Sequence, residues 1–157
     1  MAGSILTKEQ AIVSLTSAGA ALTTGSAGLV STQLDCRASG NAADLFMALF
    51  SLTAQWATVT GIAAGTTIAD LYLVPALDGT SFPDVDTTAG ASYIPFTMRA
   101  GSFVAAKTPT ANTNALFQSA MVDLMPVLYN VYILNRSGQT MAANWTLKAL
   151  AAAAQYT

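Results

Sequence analysis

The chain has 157 residues and a mass of 16.1 kDa, with 53% hydrophobic residues and only 9% charged ones. Ordinary soluble domains carry about 25% charged residues and disordered chains are polar and charged, so disorder is excluded for the chain as a whole. A net charge of −2 offers no basic field for nucleic acid, and the absence of histidine removes Ser-His-Asp and Cys-His nucleophiles and the common histidine-bearing metal sites.

The length fits one domain, able to bury a sizeable core without staples. Three parts are expected: an N-terminal arm over residues 1–24, a β-sandwich over 25–150 and a C-terminal tail over 151–157. Met1–Gln10 lacks a basic stretch followed by a solid apolar core, so no secretory signal is expected. The arm is rich in small residues and glycine, which argues against a stable helix and for an extended or loop-like path with room for one short strand.

From Leu29 the pattern sharpens. Val30, Thr32, Leu34 and Cys36 alternate with Ser31, Gln33, Asp35 and Arg37, the period of a strand with one wet face. Cys36 has no second cysteine to bridge to and reads as a small buried apolar residue. Ala38–Ala43 reads as a turn. Asp44–Thr53 is a near-continuous apolar run, expected to be a strand buried on both faces, with a short buried helix as the alternative. Gln55–Thr60 is a candidate continuation of the sheet.

The uncharged stretch between Asp44 and Asp70 is long enough to span a bilayer. Gly61 and Gly65 interrupt it, its flanks are acidic, and its strong hydrophobicity is confined to Leu45–Leu52. Two buried strands joined by a loop are expected there, and no membrane partner.

Thr66–Pro75 reads as a strand ended by proline, which has no N–H to donate. Asp78-Gly79 is a turn dipeptide opening a long loop toward Gly90. Tyr93–Phe96 and Met98–Ala105 read as a strand or a pair, with Gly101 as a candidate bulge. Lys107–Asn114 is a polar loop and Ala115–Val122 a strand. Val127–Leu134 is the clearest strand, with Val127, Tyr129, Val131 and Ile133 on one face and Leu128, Asn130, Tyr132 and Leu134 on the other. Asn135–Gln139 is a turn. Trp145–Leu150 closes the set, with Thr146 and Lys148 on one face. Seven or more short strands without a long amphipathic helix predict an all-β fold, a single β-sandwich or jelly-roll-like domain.

Chemistry is sparse. Asp78, Asp84 and Asp86 cluster in one loop, the pattern that offers oxygen ligands to a cation. Their spacing does not match an EF-hand loop, and Asp78-Gly79 is better explained as a turn. Trp56, Trp145, Tyr72, Tyr93, Tyr129 and Tyr132 are candidates for a sugar-stacking platform or for core. No phosphate-cradling glycine motif precedes a helix. No catalytic residue, cofactor or metal ligand is expected, and the chain reads as a non-enzyme. The few lysines and arginines are spread singly, and so sparsely charged a surface suits burial in subunit contacts.

The unit IADLYLVPALDGTSFPD (Ile68–Asp84) resembles small virion structural proteins of tailed bacteriophages, where a strand ending in an aromatic segment and proline precedes a Leu-Asp-Gly-Thr loop. The strand GSFV (Gly101–Val104) and the strand-turn-strand YNVYILNRSGQTM (Tyr129–Met141), with its Asn-x-Ser-Gly turn, extend the similarity over about residues 28–150. The resemblance implies a capsid decoration, or cement, protein. Such proteins commonly form trimers on the outer capsid and tie neighbouring capsomers together, with an N-terminal arm lying across the capsid. The implied partners are the major capsid protein and the chain itself as a homotrimer, and the implied location is the capsid surface of the virion after synthesis in the host cytoplasm. Candidate assembly contacts are Ile5, Leu6, Ile12, Leu15, Leu22, Phe82 and Tyr156. Competing readings are a tail, neck or fibre-associated subunit, and a carbohydrate-binding module.

Overall fold

Alternating burial builds the molecule strand by strand. In the computed structural model, residues 5–9, 12–16, 19–37, 45–85 and 98–156 are described. The strands are β1 (Ile5–Glu9), β2 (Val13–Thr16), β3 (Ala27–Leu29), β4 (Leu34–Asp35), β5 (Leu45–Ala54), β6 (Thr67–Ala76), β7 (Arg99–Val104), β8 (Ala115–Asp123), β9 (Leu128–Asn135) and β10 (Thr146–Tyr156). They form two antiparallel sheets packed face to face, and the expected all-β sandwich is the observed one.

The strand order is informative. β1 and β2 both pair with β10, at Ala152–Tyr156 and Leu147–Ala149, so they are one edge strand with a break. β3 and β4 likewise pair with successive parts of β9. Joining each broken pair leaves eight strands in chain order, arranged 1-8-3-6 in one sheet and 2-7-4-5 in the other. Strands of each half return beside distant ones through crossings between the sheets, which is the double Greek key of a jelly roll.

The core lies between the sheets. Ala48, Phe50, Leu52 and Ala54 of β5, with Leu147 and Ala149 of the neighbouring β10, share one cluster with Ile68, Leu71, Phe103, Val131 and Ile133 of the other sheet. A second cluster of Ala27, Tyr72, Val74, Tyr132 and Leu134 sits on the outer face of the second sheet. There Phe82, Val85 and Met98 of the β6–β7 connection pack over it, hiding a face that would otherwise be wet.

Several expectations change. Leu45–Ala54 is a strand and not a helix, but it alternates, with Ala48, Phe50, Leu52 and Ala54 buried and Met47, Leu49 and Ser51 half-buried, so only one face is core. Residues 55–66 do not continue the sheet; they form a connection. The strand beginning at Leu29 is bent at Ser31–Thr32. There the Ser31 N–H donates to Thr16 Oγ1 (3.1 Å) and the Thr32 N–H to the Leu15 carbonyl (3.0 Å), tying the second sheet to the first. Ile5–Glu9 and Val13–Thr16 are not a free arm, because both segments pair with β10. The tail beyond Ala151 is not separate either: β10 runs to Tyr156, with Ala151 and Ala153 buried. The turn at Ala38–Ala43, the segment Tyr93–Phe96 and Asp86 lie outside the described residues.

Candidate assembly surfaces

The residues expected to contact other subunits fall into three groups. Leu15 is fully buried and Leu22 nearly so, and both belong to the main core. Leu22 also bridges to Met141, its N–H donating to the Met141 carbonyl (3.0 Å) and its own carbonyl accepting in return (2.9 Å). Neither side chain is available to another molecule, which corrects their assignment as assembly contacts. What buries them is long-range pairing, of β2 with β10 for Leu15 and of Leu22 with Met141.

Phe82 is half-buried over the second cluster and serves as cover for the chain's own sheet. Of the remaining four, the pairing brings Ile5, Leu6 and Tyr156 together, and Ile12 lies further along the same edge. Ile5 is the register partner of Tyr156, and Leu6 of Gln155. Ile12, 63% exposed, follows on the same edge in the break between β1 and β2. Beyond Ala153, the residue opposite Leu45, β10 has only β1 beside it among the described strands, so Ile5–Thr7 and Ala154–Tyr156 form a two-stranded ribbon at one end of the sandwich.

The acidic loop is a turn. Asp78 Oδ1 accepts from the backbone N–H groups of Thr80 (2.9 Å) and Ser81 (2.6 Å), and these bonds hold its carboxyl well below the ordinary value, at about 2. Gly79, at φ +85°, supplies the left-handed residue that the turn needs. Its carbonyl accepts from Arg37 Nη1 (3.1 Å), fastening the loop to β4, where Asp35 accepts both Nε and Nη2 of the same arginine (2.8 Å each). Asp84 is exposed, and no cluster of three potential metal-ligating side chains occurs among the described residues.

The Asn-x-Ser-Gly turn is a structural knot at the opposite end. Asn135 is fully buried. Its Nδ2 donates to the carbonyls of Leu22 and Gln139 (2.8 Å each), and its Oδ1 accepts from the Ser137 N–H (3.0 Å) and Oγ (2.8 Å). Ser137 Oγ in turn accepts from Trp56 Nε1 (3.0 Å). Three chain segments meet there, and every hydrogen-bonding atom of the Asn135 amide is engaged.

Asp70 is a second buried polar group. It accepts from Arg99 Nε (3.0 Å) and Nη2 (2.7 Å), from Ser102 Oγ (2.7 Å) and from Arg136 Nε (3.0 Å). Burial pushes its carboxyl up, but the bonds from Ser102, Arg136 and Arg99 outweigh that and hold it below the ordinary value. This clamp joins β6, β7 and the turn after β9.

The aromatic candidates do not form an exposed platform. Trp56, Trp145, Tyr72, Tyr129 and Tyr132 are all buried. Burial also drives the Cys36 thiol up to about 12, helped by the charge of Asp35. A depression of about 790 Å³ between β7, β8 and their connection is lined by Val104, Lys107, Thr110, Asn114, Leu116 and Gln118 and brings no carboxylate or thiol to a substrate.

Sequence reasoning missed the outer surface of β8. Leu116 is 65%, Met121 57% and Met125 52% exposed. The signal was present in Leu116 and Met121, apolar residues among polar ones in a strand pattern. Among the described residues, no helix is long and apolar enough to cross a membrane. The chain matches no known family model, and no curated protein matches it significantly.

Proposed function

We propose that this chain is a capsid decoration protein of a tailed bacteriophage. It docks as a homotrimer on the outer surface built by the major capsid protein and ties neighbouring capsomers together. The observation that carries this reading is the jelly-roll strand order, an architecture shared by viral capsid and lectin domains. Burial of the aromatic residues that a lectin would present for stacking favours the capsid side of that pair.

Two further features support it. The low charge leaves much surface suited to subunit contacts. The ribbon of Ile5–Thr7 and Ala154–Tyr156 holds three of the expected contact residues, Ile5, Leu6 and Tyr156, with Ile12 further along the same edge, and takes the docking role of the arm. The mechanism is mechanical and has no catalytic step. Each copy makes a modest contact, and a trimer anchored to several capsomers gains from high effective concentration, so release requires several contacts to open together.

Because fold alone does not fix function, placement is the test. Electron microscopy of the particle, compared with one lacking this chain, is expected to show extra density between capsomers around three-fold positions. The depleted particle is expected to release its DNA at lower temperature. Density on the tail or neck, or no binding of purified chain to depleted particles, would overturn the reading.

A further inference from the structure

The outer face of the first sheet is a grid fixed by strand register. Its rows across β10, β5 and β8 are Ala152–Met47–Asp123, Leu150–Leu49–Met121, Lys148–Ser51–Gln118 and Thr146–Thr53–Leu116. Directly opposed residues share a face, and Ala48, Phe50, Leu147 and Ala149 between them point into the core. Among the described residues, no buried cluster lies on this side, unlike the outer face of the second sheet, which the β6–β7 connection covers.

Within these rows the charges are Lys148 and Asp123, and Glu9 of β1, the register partner of Ala152, extends the top row at its edge. Lys148 and Asp123 are both exposed and take part in no ion pair among the described residues. They occupy opposite corners of a block centred on Leu49. With strands about 4.8 Å apart and about 3.3 Å per residue, the corners are roughly 16 Å from each other, too far to pair within one chain.

We infer that this face binds a second copy of the chain about a two-fold axis. An axis lying in the face, passing over Leu49 and running perpendicular to the Lys148–Asp123 diagonal, carries each of these residues onto the other's position. Lys148 of one copy then meets Asp123 of the other, twice per contact, and Leu49 meets its counterpart at the centre. This is the self-complementarity that a two-fold interface requires. The apolar patch of Met47, Leu49, Met121, Leu150 and Ala152 is closed, and the strands of the two sheets cross steeply.

The face measures on the order of 400 Å² by those spacings, about half of one partner's share in an ordinary stable interface. The contact is therefore weak and concentration-dependent. It is independent of the proposed trimer and of the virion reading, and within such an assembly it would link one trimer to the next.

Sedimentation equilibrium of the full chain from about 10 µM to about 1 mM tests it, with circular dichroism confirming the fold of each variant. Wild type is expected to associate reversibly, and less so as salt rises. Asp123→Lys and Lys148→Asp should each weaken association about tenfold, while the double reversal returns it to within about threefold of wild type. Met121→Asp should abolish it, and Leu29→Asp on the opposite sheet should leave it unchanged. A single fixed stoichiometry across the range, a double reversal no better than the singles, or equal loss in Leu29→Asp would overturn the inference.

Discussion

Gly19 sits where no side chain fits: a Cβ built there would lie 2.0 Å from Trp145 Cε2. The same contact is bonded on both sides, with the Gly19 N–H donating to the Trp145 carbonyl (3.0 Å) and Trp145 Nε1 to the Ala20 carbonyl (2.7 Å). Gly19→Ala must displace a buried tryptophan, and overpacking of that kind costs about 1–3 kcal/mol. Urea denaturation should show that loss, whereas Gly61→Ala meets no atom within 4 Å and is strained only by its φ of +84°. Cys36 makes the complementary case. Fully buried and with its thiol pushed up to about 12, it should resist aromatic disulfide reagents at pH 8 in the native chain and react at once in denaturant. Its burial was legible from alternation with Asp35 and Arg37, and the turn at Asp78-Gly79 from its dipeptide. The Asp70 clamp was not legible, since its four residues come from three segments far apart in sequence that meet only through strand pairing.

Among the elements, the first strand decides how much of the N-terminus is dispensable. β1 borders the end of β10 alone, while β2 brings Leu15 into the core. Removing residues 1–9 should lower stability modestly. Removing residues 1–16 should cost at least about 2 kcal/mol more, the worth of one buried leucine, and thermal melting of the two truncations checks the difference. The sequence concealed this strand for a physical reason. Its two runs, Ile5–Glu9 and Val13–Thr16, are short and lie among glycine, alanine and serine, and the partner that fixes them is more than 130 residues away. The alanine run of β10 was hidden similarly, because alanines leave no alternation to read and favour helix on their own. Strands β5, β6, β8 and β9 were legible as short apolar runs bounded by turn residues, although the alternation that buries only one face of β5 was not. What covered the second apolar face of β9 was not, because Phe82 and Val85 reach it from a connection and carry no periodicity of their own.

For the molecule as a whole, titration sets the range of stability. Asp35, Asp70 and Asp78 have carboxyls held below the ordinary value in the folded chain. Such groups add stability that is complete above the unfolded value near 4 and lost as pH falls through the folded one. Cys36, Tyr129 and Tyr132 are raised, so their contribution is complete below the unfolded values and lost as pH climbs toward the folded ones. With no histidine to titrate between, the melting temperature should be flat from about pH 5 to about pH 8 and fall on both sides. A step near pH 6.5 would contradict this account. The paired ribbon has a topological consequence as well. Ile5 and Tyr156 are neighbours across a ladder, about 5 Å apart, so the chain is nearly a closed ring. Any sequence attached ahead of residue 5 or after residue 156 leaves from the same spot. A permuted chain, sealed there by a short flexible linker and reopened in the exposed Ala111–Asn114 bend, keeps every strand of both sheets intact.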